Sequence, residues 1–199
     1  LKRGIVRKRG GKITDTLPVI LLALLREFFA ARGIKSYLVG GCVRNMLLEC
    51  STRDVDIAVA ADALDVAKKV ALAFNGKYVL LDELNGVARV VLFDESSPQW
   101  HLDFSTIHGS IEDDLARRDF TIDAMAVNLG SLRNDCFDIE VIDPFAGQRD
   151  IDERLIRAVS EGVFQDDPAR LLRAVRLAAE FQFTIEVGTE SLIREHSHL

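Results

Sequence analysis

Long apolar runs, paired cysteines and an excess of positive charge are all missing from this sequence. No apolar run approaches the roughly 20 residues that a membrane-spanning helix needs, and the longest candidate, residues 17–31, is broken by Arg26 and Glu27. The basic start is not followed by the apolar segment and cleavage site of a signal peptide. We therefore expect a protein without a membrane partner and without a secretory leader.

The three cysteines form no CxxC pair, so a redox dithiol has no support. Unpaired cysteines at Cys42, Cys50 and Cys136 suggest reduced thiols and a cytoplasmic location. The sequence also contains no Walker A, GxGxxG or HExxH motif and no zinc-spaced set of cysteine and histidine. The common enzyme and cofactor-binding classes that depend on these motifs are therefore disfavoured.

The formal net charge is −6, although binding to RNA phosphates requires lysine and arginine. The basic charge is local, because residues 1–13 have basic side chains without an acidic neighbour and further arginines cluster near the end. We interpret residues 1–13 as a disordered tail or an expression remnant in preference to an RNA-binding arm. The hydrophobic share of 48% and the charged share of 28% are typical of a globular protein with one domain and the start of a second.

A strand–turn–helix pattern near residue 40 is the centre of the chain. Residues 37–39 form an apolar run typical of a buried strand, Gly40 and Gly41 follow, and a helical pattern comes next. Glycine has no Cβ atom to block close approach, and the backbone N–H groups at the start of a helix attract anions. The pattern predicts a phosphate site at this corner, with Arg44 facing the phosphate from the first helical turn.

Two carboxylates follow in an alternating strand. Asp54 and Asp56 point to one face of the strand, and Val55 and Ile57 point to the other. Carboxylates at this spacing lie about 6–7 Å apart, so both can reach a pair of metal ions about 3.5–4 Å apart. Such acids also occur on exposed strands without any function, but the adjacent glycine turn favours catalysis. A site for Mg²⁺ beside a phosphate site indicates nucleotidyl transfer.

This stretch carries a resemblance to a known family. GGCVRN followed by RDVDIAV resembles the GGxxRD…DxD signature of polymerase-beta-type nucleotidyltransferases, in particular the bacterial class II group of tRNA CCA-adding enzymes and poly(A) polymerases. The family usually has Asp at the position of Asn45. Asp103 is our candidate for a third acid, because we expect its strand to pair beside Asp56. An exposed polar residue in an alternating strand is the alternative interpretation of Asp103.

A second match covers LARRDFTIDAMA, residues 115–126, which is similar to the family motif RRDFTxNA. The resemblance implies that Arg118 contacts the triphosphate of the incoming nucleotide and that Asp119 contacts a ribose hydroxyl. The alternative for this arginine is a cation placed favourably at a helix C-terminus. The chain has Asp123 where the family has Asn.

A third match covers FQDDPARLLRAVRLAAEFQF, residues 164–183, which is similar to the family stretch FxEDxxRxxRAxRFAA. By this resemblance the nucleotide-binding residues are Asp167, Arg170, Arg173 and Arg176. Like charges on one helix face cost stability unless anions lie nearby, which favours a triphosphate partner. Asp167 before a proline also fits a simple helix cap.

These patterns predict an α+β fold. We expect a nucleotidyltransferase head over residues 14–156, a small mixed sheet with helices on one side, and the start of an all-helical neck over residues 157–199. The chain ends inside a helical pattern, so we expect it to be the N-terminal part of a longer protein. The apolar face of the last long helix is predicted at Leu171, Leu172, Val175 and Ala179.

The resemblance implies a template-independent RNA nucleotidyltransferase with Mg²⁺ as cofactor and with CTP, ATP and the tRNA 3′ end as partners. A poly(A) polymerase and a non-catalytic nucleotide-binding relative are the alternatives, and the intact Asp54 and Asp56 argue against the second. The link from the Asp103 strand to the RRDFT motif, residues 105–116, is shorter than in full CCA-adding members. We therefore expect addition of two C residues and poor addition of the final A.

Overall fold

The computed structural model describes residues 3–7, 19–94, 97–132 and 138–198, which form an α+β fold. The strands of this described part are β1 (Arg3–Arg7), β2 (Ser36–Val39), β3 (Asp54–Val59), β4 (Lys77–Asp82), β5 (Val87–Asp94), β6 (Ser97–Thr106), β7 (Ala126–Asn128), β8 (Asp138–Ile142), β9 (Leu155–Ile156) and β10 (Thr184–Ile185). The helices are α1 (Val19–Ala30), α2 (Gly41–Leu47), α3 (Ala63–Ala73), α4 (Ile111–Ala116), α5 (Gly147–Asp152), α6 (Val163–Asp166), α7 (Ala169–Phe181) and α8 (Val187–Glu195). Within the described ranges, no helix is both long enough and apolar enough to cross a membrane.

Eight strands form one mixed sheet in the order β1-β8-β7-β2-β3-β6-β5-β4. The β3–β6 pair is parallel, and the other neighbouring pairs are antiparallel. The prediction of a mixed sheet is confirmed, although the sheet is larger than the small one expected. The prediction of a disordered lead is wrong for residues 3–7, because their backbone pairs with β8 at one edge of the sheet. The predicted helix start at residues 14–18 lies outside the described residues.

Alternating side chains divide β2 and β3 between two cores. Leu38 and Ile57 enter the main core, together with apolar residues of α1, α2 and α3. Val39 and Ala58 enter a second core on the opposite face. In that second core they pack with Ile111 and Leu115 of α4. The prediction that helices lie on one side of the sheet is therefore wrong, because α4 covers the other face.

The buried face of α7 differs from the predicted one. Ala174 and Leu177 are buried in the main core, whereas Leu172 is 78% exposed and Val175 is 54% exposed. The helix has two apolar stripes, and periodicity alone does not show which of them faces the rest of the chain. Strand pairing also continues beyond residue 157, because β10 pairs in parallel with β9. Two-residue strands are too short to display a sequence period, which is why they were missed.

Two connections position the site. At the first connection, β5 extends to Asp94 and β6 begins at Ser97. The second connection joins β6 to the RRDFT stretch through α4. Ser110 caps α4 in a full capping box with Asp113, and Arg117 Nη2 donates to the carbonyl of His108 at 3.1 Å. Both ends of this link are therefore held by hydrogen bonds.

Candidate active site

The acidic residues of β3 and β6 lie side by side because these strands run parallel. Asp56 is the register partner of Asp103, and Asp54 is the register partner of His101. The expected placement of Asp103 beside Asp56 is confirmed. The side chain of Asp54 is 61% exposed, whereas Asp56 is half-buried. The strand pair thus presents one accessible and one sheltered carboxylate, with a third acid next to them.

Burial and neighbouring acids raise the pKa of Asp56 to about 6. Desolvation is the largest cause, and the negative charges of Asp103, Asp123 and Asp54 act in the same direction. The cation of Arg118 opposes them by favouring the charged carboxylate. A site with this excess of negative charge is electrostatically suited to a divalent cation.

Two of the acids already have basic partners on the same sheet. Arg89 of β5 binds Asp103 with two parallel hydrogen bonds of 2.7 Å, from Nε to Oδ1 and from Nη2 to Oδ2. The pairing also raises the pKa of Arg89. His101 Nδ1 lies 2.9 Å from Oδ1 of Asp54. Neither partner was identified from the sequence. Both partners lie in alternating strands, where every second side chain points to the same face, so a basic residue on the face of an acid was an available signal.

Gly40 leaves space for the side chains of Arg118 and Asp56 at the turn before α2. Its φ is +67°, in the left-handed region that favours glycine. A Cβ atom at this position would lie 2.6 Å from Nη1 of Arg118 and 3.3 Å from Oδ2 of Asp56. Among the described residues, the buried Nε of Arg118 has no hydrogen-bond partner. Its Nη2 lies 3.3 Å from Oδ2 of Asp114. The guanidinium therefore retains donor capacity beside the carboxylates.

Arg44 lies under the turn and is 7% exposed. Its Nη2 would be 3.2 Å from a Cβ atom at Gly41. Its Nη1 donates to Oδ1 of Asp123, and its Nε and Nη2 donate to Oδ1 of Asn45 at 3.2 and 3.1 Å. The guanidinium carbon lies 4.5 Å from the ring centroid of Phe181 at the end of α7. The predicted phosphate ligand is thus a buried, fully surrounded side chain rather than an open surface arginine.

The second and third motifs meet through an ion pair. Arg173 Nε lies 2.7 Å from Oδ2 of Asp119, which is 5% exposed. Arg173 Nη2 lies 3.5 Å from Oδ2 of Asp123. Burial raises the pKa of Asp123, and the nearby cation of Arg44 acts against this rise. The structure therefore joins Asp119, Arg173 and Arg44 in one network.

The remaining predicted residues on α7, and Asp167 just before it, stand apart from this network. Arg170 donates from Nη1 to the carbonyl of Val163 at 3.1 Å and from Nη2 to the carbonyl of Arg117 at 3.0 Å. Asp167 Oδ1 accepts from the backbone N–H of Ala169 at 3.0 Å, as a cap of α7 would. Arg176 is exposed, and in the described part of the chain it forms no hydrogen bond or ion pair.

The acidic cluster fits a cation that takes few protein ligands. Within the described residues, no group of three or more His, Cys, Asp or Glu is arranged to hold a metal ion by itself. Mg²⁺ usually binds one or two carboxylates and completes its shell with water and substrate phosphates. Asp54 and Asp56 supply that number, while Asp103 is held by Arg89. The donor set therefore fits Mg²⁺ better than a metal that needs a closed protein cage.

Asp56→Asn should remove a pH-dependent cost to stability in the metal-free protein. An Asp with a folded-state pKa near 6 and an ordinary value of 3.8 binds more protons when folded between these limits. The contribution of Asp56 to stability is therefore greatest below pH 4, falls as pH rises through 6, and stays lower above it. The shift corresponds to about 2–3 kcal/mol before solvent screening is discounted.

Urea unfolding between pH 4 and pH 8, in chelator, measures this effect. We expect Asp56→Asn to be more stable than the parent above pH 7 and similar to it near pH 4. Asp65→Asn is the control, because that carboxylate is 54% exposed and pairs with Lys69 on the surface of α3. Parallel pH profiles for the parent and Asp56→Asn would contradict the assigned environment of Asp56.

Comparison with known proteins places this site in a family. A sequence model described as the Poly A polymerase head domain matches residues 36–157. A CC-adding tRNA nucleotidyltransferase of Geobacter sulfurreducens is 40% identical over 188 residues, which cover 94% of this chain and 40% of that protein. A CCA-adding enzyme of Lactiplantibacillus plantarum is 36% identical over 91% of this chain and 47% of that protein.

The structure of the Thermotoga maritima CCA-adding enzyme, solved in complex with a tRNA, is also similar. It has a TM-score of 0.78 and 36% sequence identity, and the match covers 92% of this chain and 43% of that chain. The chain thus spans less than half the length of these relatives. The family match includes Gly40, Asp56, Asp103 and Arg118, which the structure brings together. The chain belongs to the family of poly A polymerase head domains.

Proposed function

We propose that the chain is the catalytic part of a template-independent RNA nucleotidyltransferase that adds CMP, AMP or both to the 3′ end of tRNA. The observation that carries the proposal is the placement of both Asp56 and Arg118 against Gly40, with Asp54 two residues before Asp56 on the same strand. Acids at the end of a parallel strand pair, beside a guanidinium with a free donor, suit a nucleoside triphosphate and its cation. The family relationship and the CTP- and ATP-bound forms of similar enzymes support this assignment.

Asp54 and Asp56 would hold Mg²⁺, which when bound activates the RNA 3′-hydroxyl and neutralises the leaving pyrophosphate. The protein's own part is to bind and orient the nucleotide. Arg118 would donate to a phosphate oxygen, and the absence of a side chain at Gly40 and Gly41 lets the phosphate approach the turn. The third acid, Asp103, would act through its position beside Asp56, since Arg89 holds both of its oxygens.

The helix α7, Asp167 just before it and Asp119 would supply the other contacts with the nucleotide. Asp167 would accept from the amino group of cytosine or adenine, and Arg170 would donate to the adjacent ring acceptor. Guanine and uracil present the opposite pattern and would leave these polar groups unpaired. Asp119 would bind the ribose, while Arg173 and Arg176 would contribute positive charge for the triphosphate. The proposed division is a head at residues 14–156 and a neck that begins at residue 157, in a cytoplasmic enzyme.

Asp54→Asn and Asp56→Asn should each abolish Mg²⁺-dependent transfer from labelled CTP or ATP to a truncated tRNA. Loss of a carboxylate ligand removes several kcal/mol of transition-state stabilisation, whereas the fold should persist. Asp65→Asn serves again as the matched surface control and should retain activity. Near-parental turnover by either site variant at saturating Mg²⁺ would refute the metal assignment. A poly(A) polymerase would instead extend the RNA with many A residues, and a non-catalytic relative would only bind the nucleotide.

Arg170→Ala should relax base choice more than it weakens triphosphate binding. The proposed partner of Arg170 is a base edge, so its loss should raise the relative kcat/KM for UTP and GTP. Arg176→Ala is the matched control on the same helix and should raise KM for all four nucleotides without changing their ranking. The measurement is kcat/KM for each nucleotide with one tRNA primer. Unchanged rejection of UTP and GTP by Arg170→Ala would exclude it as a base reader.

The short link before the RRDFT motif favours addition of two C residues with poor addition of the final A. A change of specificity from CTP to ATP needs a segment that can move, and α4 is fixed by its capping box and by the Arg117–His108 contact. One relative adds CC and another adds CCA, so similarity alone does not decide between these products.

A primer series tests this expectation. tRNA ending before CC, after one C and after CC is supplied with CTP, ATP or both. We expect efficient extension of the first two primers with CTP and slow addition of A to the third. Rapid addition of A to the CC-ended tRNA would show that the short link does not restrict the enzyme, and would indicate complete CCA addition.

A further inference from the structure

A single buried guanidinium connects the glycine turn with the end of α7. Arg44 is 7% exposed, and its side chain is bounded by Asn45, Asp123 and Phe181. Removal of a guanidinium from water is costly unless an opposite charge and hydrogen bonds replace the solvent. Asp123, which is 1% exposed, provides the only carboxylate in hydrogen-bond contact with Arg44 among the described residues. The position of Arg44 therefore depends on that carboxylate.

Two side chains share this guanidinium, and only one of them is charged. Asn45 accepts from Nε and Nη2, while Asp123 accepts from Nη1. The two departures from the family motifs noted in the sequence fall on these same two positions, with Asn at 45 and Asp at 123. Relative to the family motifs, the carboxylate stands at position 123 and the amide at position 45. Because both side chains accept from Arg44, the net charge around Arg44 is the same in either arrangement.

We propose that Asp123 is the positioning residue for Arg44, and that its carboxylate can be moved to position 45 without loss of function. Asp123 does not contact the nucleotide in this assignment. It holds Arg44 under Gly41, where the guanidinium supports the turn on which the phosphates bind. The proposal rests on the proposed function only in assuming that the turn binds a nucleotide phosphate. That the carboxylate can stand at either position 45 or position 123 does not depend on which ligand binds.

Asp123 also has a neighbour that Asn45 lacks. Its Oδ2 lies 3.5 Å from Nη2 of Arg173, whose Nε is held by Asp119 at 2.7 Å. When the charge moves to position 45, Asp119 still anchors Arg173 on α7. The exchange should therefore leave the contact between α7 and the head intact. The effect of each substitution can then be attributed to the change around Arg44.

The test is a four-member cycle: the parent, Asn45→Asp, Asp123→Asn, and the double variant. We expect Asp123→Asn to lower the thermal unfolding midpoint and to raise KM for CTP by about tenfold, the size typical of losing a side chain that orients a ligand-binding group. We expect kcat to change less than KM. The double variant should restore both the midpoint and KM to nearly parental values, because one carboxylate again faces Arg44.

Asp150→Asn is the matched control. Asp150 is 2% exposed and holds Arg157 at 3.1 Å and Thr121 at 2.6 Å, away from Arg44. This variant should lose stability without a change in KM, and Asn45→Asp should not rescue it. If Asn45→Asp rescues Asp123→Asn but not Asp150→Asn, the rescue cannot be explained by a general stabilising effect of Asn45→Asp.

Each outcome decides the proposal. The proposal would be overturned if the effects of Asn45→Asp and Asp123→Asn simply add in the double variant. It would also be overturned if the Asp123→Asn variant has the parental KM and unfolding midpoint. If Asp123→Asn does not fold but the double variant does, the exchange is supported. If neither folds, the exchange is refuted. A parent protein that neither binds nor transfers CTP would instead refute the proposed function, while the unfolding midpoints would still decide whether the carboxylate is shared.

Discussion

The parallel register of β3 and β6 concentrates negative charge at one point of the sheet. It sets Asp56 directly beside Asp103 and places Asp54 on the same face. Buried like charges are tolerated only when cations lie near them, and the surrounding structure supplies these cations. Arg89 neutralises Asp103 from the next strand, and Arg118 faces Asp56 from the end of α4. The arrangement of basic groups around the site follows from this one pairing.

Local periodicity explains the parts of the structure that the sequence predicted. The spacing of apolar residues changes from one element to the next in three consecutive elements: the strand before Gly40, the helix after it and the alternating strand at residues 54–59. Asp103 was proposed as the third acid of the family site, and the pairing of β3 with β6 places it beside Asp56. Short-range patterns therefore identified Asp54 and Asp56, whereas the position of Asp103 depends on a long-range strand pair.

The basic half depends on register and long-range packing, which periodicity does not encode. Arg89 meets Asp103 only because the β5–β6 pairing shifts between Leu92 and Phe93, and a shift of one residue would have turned Arg89 to the other face. The contact of Arg44 with Phe181 depends on which stripe of α7 is buried. That choice was predicted wrongly, because both stripes are apolar. Asp123 was recognised as a departure from a motif, but its partner was visible only in three dimensions.

The stacking of Arg44 on Phe181 has a consequence for how the chain is made. The glycine turn and β3 are synthesised early, whereas the aromatic ring that closes over Arg44 emerges from the ribosome near the end of α7. Contacts between such distant segments form late, since the loop between them must first be closed. A nascent chain can therefore complete its sheet while the guanidinium is still hydrated. The environment of Arg44 is therefore complete only after synthesis has passed residue 181.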